Sequence, residues 1–141
     1  MPVSLASCAL TTTRDKNMIG IVVPAHNEED VIVDCLDCIQ RCAQHPQLLG
    51  EAVEVVVVAD ACTDNTRSLA ARQGVVAMAI DARNVGRARA AGAQWLLDRG
   101  ARWLAFTDAD TLVSAEWLVE QLAIGADAVC GTVGVDVDAP W

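Results

Sequence analysis

The chain has 141 residues, 53% of them hydrophobic and 21% charged, with nine Gly and four Pro. That describes one compact domain and excludes a disordered tract, a collagen-like repeat or two cores of ordinary size. Nineteen acidic against ten basic residues give a net charge of -9, so nucleic acid is not an expected partner, because binding to bare phosphate backbones is driven by Lys and Arg releasing counterions.

Met1 to Asn17 carries a short apolar patch with no basic region before it and Arg14, Asp15 and Lys16 after it. It reads as a loosely ordered leader, not a secretory signal, with the folded domain running from 18 to 141. Met18 to Val23 is an apolar run stopped at Pro24, as expected of a buried strand. From Glu28 to about Ala43, the positions Val31, Ile32, Cys35, Cys38, Ile39 and Cys42 follow helical spacing. Asn27 is the expected N-cap, and Glu28, Glu29 and Asp30 suit the positive end of the helix dipole. The β-branched run Val53 to Val58 predicts a second strand. Asp64 to Gln73 predicts a helix opened by Thr63 or Asp64 and closed by Gly74.

Val75 to Ile80 reads as a third strand, Gly86 to Arg99 as a helix stopped at Gly100, and Trp103 to Thr107 as a fourth strand. Ser114 is expected to cap a helix through Ala123, and Ala128 to Val133 to form one more strand. Continuous apolar strands alternating with helices predict a doubly wound α/β fold, its mostly parallel sheet covered on both faces. Apolar runs such as Val55 to Ala59 fall far short of the ~18 residues of a membrane-spanning helix. No span is expected, and peripheral association with a membrane is left open.

Three of the six cysteines, Cys35, Cys38 and Cys42, recur at offsets of three and four with His45 beyond. On a helix, Cys35 and His45 would lie ~15 Å apart, too far for one tetrahedral ion with bonds of ~2.0–2.3 Å. The three thiols are therefore expected to be a buried apolar stripe. The scattered Cys8, Cys62 and Cys130 favour a reducing, cytoplasmic setting.

In open parallel sheets, ligands bind beyond the carboxyl ends of the strands. Three predicted strand ends carry acids there: Asn27-Glu28-Glu29 after the first, Asp60 and Asp64 after the second, and Asp108-Ala109-Asp110 after the fourth. Capping or a turn would explain each acid singly, but their coincidence at one rim favours a site. Asp108 and Asp110 should point to the same side, where two like charges call for a positive neutraliser. Mg²⁺ commonly takes one or two carboxylates plus substrate phosphates. Arg83, Arg87 and Arg89 cluster where the chain leaves the third strand, suited to a phosphate. Two residues along a helix turn the direction by about 200°, so Arg87 and Arg89 cannot both face it.

Val22 to Glu29, Val57 to Thr66, Asn84 to Gly92 and Thr107 to Asp110 together resemble the family 2 glycosyltransferases, in that family's order and over about Ile19 to Val133. The resemblance implies the glycosyltransferase A fold, truncated before its acceptor half. It also implies transfer of a sugar from a nucleoside diphosphate donor, UDP-linked, to an acceptor hydroxyl with inversion, assisted by Mg²⁺ or Mn²⁺. Its implied binding set is Pro24, Ala25, Asn27, Glu28, Asp60, Arg83, Gly86, Asp108, Ala109 and Asp110. Pro24, Ala25 and Glu28 would border the nucleoside, and Asp60 would accept from the imide of a uracil-like base. Arg83 and Gly86 would lie by the nucleotide and diphosphate, with Asp108 and Asp110 on the metal.

The second block departs from the usual Asp-Asp-Gly-Ser, with Ala59, Ala61 and Cys62 in place of the first Asp, the Gly and the Ser. In this family the general base lies well downstream of the Asp-x-Asp. It is expected beyond Trp141, since Asp136 and Asp138 come too early; the alternative is a non-catalytic nucleotide-sugar-binding fragment. The acceptor is not specified by the sequence. A nucleotidyltransferase of similar topology would need a glycine-rich phosphate loop after the first strand. A receiver domain would account for the rim acids but not for Asn84 to Gly92.

Overall fold

Strand β1 (Met18–Ala25) is buried along nearly its whole length, and β2 (Ala52–Asp60) over its last six residues. Such runs, apolar on both faces, are stable only inside a sheet covered from both sides. In a computed structural model that describes residues 18–134, β1 pairs in parallel with β2 on one side and with β4 (Ala101–Phe106) on the other, while β3 (Val76–Ile80) pairs in parallel with β2. The order is β3-β2-β1-β4. The chain starts in the middle, builds outward to β3, then crosses to the far side of β1. That reversal opens a crevice at the carboxyl end of the sheet.

The pleat sorts β1 into two cores. Ile19, Ile21, Val23 and Ala25 join Val55 and Val57 against α1 (Ile32–Ala43), through Ile32, Cys35, Leu36, Ile39 and Cys42. The shorter helices α2 (Thr66–Arg72) and α4 (Trp117–Ala123) flank α1 and contribute Ala70 and Leu118 to the same core. On the opposite face Val22, Val56 and Val58 meet Ala88 and Leu96 of α3 (Val85–Asp98). Each fully buried Val, Ile or Leu contributes ~1.5–3 kcal/mol. The cysteine stripe is buried as expected, and no helix of the described residues is long and apolar enough to cross a membrane.

Several expectations need correction. Asn27 does not cap α1: the helix starts at Ile32 with Val31 at its N-cap and no side-chain cap, so Glu28, Glu29 and Asp30 lie in the turn before it. Ser114 does not cap α4, which begins at Trp117; only the Ser114 carbonyl takes part, accepting from the Trp117 amide. Ala128 to Val133 forms no strand. Its β-branched residues find no partner, Val133 is 77% exposed, and β4 is an edge strand among the described residues. The leader expected over Met1 to Asn17, and Asp136, Asp138 and Trp141, lie outside the described residues.

Helix α3 reaches the sheet so closely because position 92 has no side chain. A Cβ there would lie 2.6 Å from Val22 Cγ1 and 3.0 Å from Val58 Cγ2, and these β-branched side chains have little rotamer freedom with which to yield. Overpacking costs ~1–3 kcal/mol, against ~1 kcal/mol gained in helix propensity. Gly92→Ala is therefore expected to destabilise the fold by up to ~2 kcal/mol in urea denaturation; a midpoint above wild type would refute this account of the packing.

Candidate functional site

At the carboxyl end of the sheet the loops after β1, β2, β3 and β4 surround a cavity of about 790 Å³. Of the ten binding residues expected from the sequence, nine line it: Pro24, Ala25, Asn27, Glu28, Asp60, Arg83, Asp108, Ala109 and Asp110. Gly86 does not; it sits exposed in the first turn of α3, next to the lining Val85. His26, Ala61, Thr63, Asn84, Val85, Ala88 and Arg89 complete the wall. His26 and Asn84 stand inside the sequence blocks already singled out, so position alone could have nominated them.

Asp60, the last residue of β2, is only 5% exposed. Its Oδ1 accepts the amides of Ala82 (2.7 Å) and Arg83 (2.8 Å), and its Oδ2 accepts that of Asn84 (2.7 Å). The Asn84 amide, followed by those of Arg83 and Ala82 and by the nearby His26, outweighs the opposing effect of burial and holds the carboxyl below the usual aspartate range. The loop so fixed delivers Asn84 to its post as N-cap of α3, where Oδ1 accepts from the Arg87 amide at 3.0 Å.

The first two loops are tied to each other in the same way. Asn27 Oδ1 accepts the Thr63 amide (2.8 Å), and Glu28 donates its amide to Thr66 Oγ1 (2.8 Å). Glu29 donates to Asp64 Oδ2 and in return accepts from the amide and side chain of Asn65. Asp64 Oδ1 accepts from both the amide and hydroxyl of Thr66, but neither Thr63 nor Asp64 is the cap expected of it: α2 opens at Thr66 with Asn65 at its N-cap and no side-chain cap bond, because Asp64 is engaged by Thr66 and Glu29. His26 Nδ1 lies 2.7 Å from the Asp60 carbonyl oxygen.

The fourth loop presents Asp108 and Asp110, both exposed. Its backbone is anchored from below: the Asp108 carbonyl accepts from the Thr111 amide (3.1 Å) and, at 3.5 Å, from the thiol of Cys35 on α1. Burial pushes that thiol up to about 12, with Cys38, Asp110 and Asp108 adding to it, so it stays protonated and able to donate. Burial, then Asp110 and Asp64, also raise the Glu28 carboxyl, with His26 opposing and Asp108 adding a little. Glu28, Asp108 and Asp110 therefore share one acidic corner. Of the two arginines left open by the helical spacing, it is Arg89 that faces inward, its Nη2 2.6 Å from Asp108 Oδ1. Arg87 is exposed and outside the lining.

No group of three His, Cys, Asp or Glu among the described residues could cage a metal ion. The two exposed carboxylates Asp108 and Asp110 on the cavity wall could hold a hard cation only if water and ligand phosphates completed its shell. A closed structural site would need more protein ligands.

Strain concentrates at the same rim. Asn27, Ala61 and Arg83 have φ of 54°, 51° and 50°, and each follows a different strand into the cavity wall. Asparagine tolerates this region, whereas alanine in it costs ~1–2 kcal/mol. Position 61 is the one where the family's usual glycine is replaced, and the geometry gives the reason for that glycine. After the ~0.5–1 kcal/mol of extra unfolded-state entropy that glycine loses on folding, Ala61→Gly is expected to stabilise the fold by ~0.5–1 kcal/mol. A lower denaturation midpoint in the variant would show that the strain is not there.

Comparison with known proteins points the same way as the geometry. The sequence is 34% identical over 70 residues to the low-salt glycan biosynthesis hexosyltransferase Agl6 of Haloferax volcanii, a match covering 50% of this chain and 16% of that protein. The fold is similar to that of S. aureus TarS 1–349, with a TM-score of 0.60 and 22% identity over 75% of this chain and 31% of that one. It is also similar to Mycobacterium tuberculosis glucosyl-3-phosphoglycerate synthase, with a TM-score of 0.55 and 25% identity over 77% of this chain and 41% of that one. TarS 1–349 has been solved with UDP, and the synthase with Mn²⁺ and UDP. This chain spans less than half the length of each. The profile of glycosyl transferase family 2 matches residues 20–139, and with the α/β sheet and its rim of motif residues in place, the chain belongs to that family.

Proposed function

We propose that this chain binds the nucleoside diphosphate sugar of a glycosyltransferase, UDP-linked, and that the protein transfers the sugar to an acceptor hydroxyl with inversion. The observation that carries the reading is the convergence of four loops on one cavity, with Asp60, Glu28, Asp108 and Asp110 on its wall and the capped N-terminus of α3 opening onto it. Its volume is that of a small-molecule site. The UDP complexes of the two structural relatives support the class of donor.

In this reading Pro24, Ala25 and Glu28 border the nucleoside. Asp60 has spent three acceptor positions on backbone amides, and a carboxylate offers about four, which leaves one on Oδ2 for the imide of a uracil. Arg83 lies towards the diphosphate, with Gly86 behind the lining Val85 in the first turn of α3. Asp108 and Asp110 would hold Mg²⁺ or Mn²⁺, which when bound supplies Lewis-acid stabilisation of charge on the departing diphosphate. No residue from 18 to 134 is assigned the role of general base. Free thiols throughout the described residues support a reducing, cytoplasmic setting.

Isothermal calorimetry tests the assignment. UDP with Mn²⁺ is expected to bind, and Asp110→Ala to weaken that binding by roughly 10–100-fold without loss of fold, since Asp110 is exposed. No heat with the metal present, or binding indifferent to Asp110, would overturn it.

A further inference from the structure

The cavity wall carries two guanidinium groups. That of Arg83 pairs loosely with Asp81 at 3.5 Å, with both side chains about four-fifths exposed (81% and 78%). The other, on the second turn of α3, is already engaged: Arg89 Nη2 sits 2.6 Å from Asp108 Oδ1, at one of the two carboxylates read above as metal ligands. We infer that Arg89 is a positioning residue that acts as an internal counter-ion, holding Asp108 in the donor-free protein and releasing it when metal and diphosphate arrive together. The inference rests on the donor-site reading of the cavity.

The physical argument is one of charge. Glu28, Asp108 and Asp110 line one cavity, and the guanidinium of Arg89 is the cation that touches Asp108. A divalent cation on Asp108 must face that guanidinium across a single carboxylate, like charge against like charge, so the two compete. The diphosphate resolves the conflict because it offers Arg89 new anionic oxygens, for which the planar fork is well matched. Swinging over is cheap, because the pair is 40% and 55% exposed and such pairs are weak. The backbone of the Asp108 turn does not need to move, being held separately by Thr111 and Cys35. Metal and nucleotide therefore bind with positive coupling: each removes part of the cost the other meets.

The test uses Mn²⁺ alone, UDP alone and the two together, on wild type and on Arg89→Met, which keeps the length and helix propensity of the side chain but not its charge. Free Mn²⁺ is counted by electron paramagnetic resonance. The inference predicts that Mn²⁺ alone binds Arg89→Met roughly two- to fivefold more tightly than wild type, the range set by a half-exposed ion pair. UDP in the presence of a chelator binds it more weakly, and the enhancement of Mn²⁺ binding by UDP shrinks. Arg89→Lys, which retains the charge, keeps the wild-type pattern. Unchanged or weaker Mn²⁺ binding in Arg89→Met, or a lysine variant that behaves like the methionine one, overturns the inference while leaving the donor site intact. Failure of wild type to bind UDP with Mn²⁺ overturns both.

Discussion

A single buried carboxylate organises the cavity. Asp60 ends β2 at the floor of the site, and three consecutive amides of the loop after β3 converge on its two oxygens. The residue in the middle of that loop, Arg83, is held with φ at 50°. A strained backbone persists only where its surroundings over-determine it. Here the over-determination comes from one side chain, and its consequences run up α3: the loop sets Asn84 as cap, the cap sets the start of the helix, and the helix phase carries Arg89 to Asp108. The glycine at 92 then lets that helix lie directly on Val22, Val56 and Val58.

The rest of the rim follows the same logic of side chains caring for foreign backbone. The loops after β1 and β2 exchange bonds through Asn27, Glu29, Asp64 and Thr66, and among the described residues no buried polar side-chain atom lacks a partner. The acids of the rim thus fall into two sets. Asp60 and Asp64 hold loops, and in both the hydrogen bonds outweigh the opposing effect of burial and lower the titration. Glu28, Asp108 and Asp110 are left facing the cavity, and burial, followed by the charge of Asp110, raises Glu28. Under the donor-site reading proposed above, a chain of net charge -9 would receive an anionic nucleotide there through the cations that the second set attracts.

Much of this is legible in the amino-acid sequence. The apolar runs of β1 to β4 and the spacing of α1 identified a parallel α/β sheet, because burial on both faces leaves no polar face to confuse the pattern. The rim acids were also legible, since strand ends are easy to place. The caps were not. Asn27 precedes a run of acids that imitates a helix start, but its backbone turns left-handed and its amide oxygen is taken by Thr63. The true partners of Asp60 lie 22 to 24 residues on, beyond the reach of any local pattern. Ala128 to Val133 has the composition of a strand, but composition cannot supply a neighbouring edge. Helical phase allowed one of Arg87 and Arg89 to face the site, and only the start point fixed by Asn84 decides which.

The claim on which the account stands, that Asp60 holds the loop 82–84 as a carboxylate, is open to amide exchange measured by NMR across pH. A group whose folded titration is depressed stabilises the fold above its unfolded value, ~3.9 for Asp, and that contribution is lost as pH falls towards the folded one. The amides of Ala82, Arg83 and Asn84 should therefore keep high protection from neutral pH down through ~4, lose it only at lower pH, and lack it at every pH in Asp60→Asn. Protection at the level of a free loop at neutral pH, or an Asp60 carboxyl titrating at or above the ordinary aspartate value, would contradict the account.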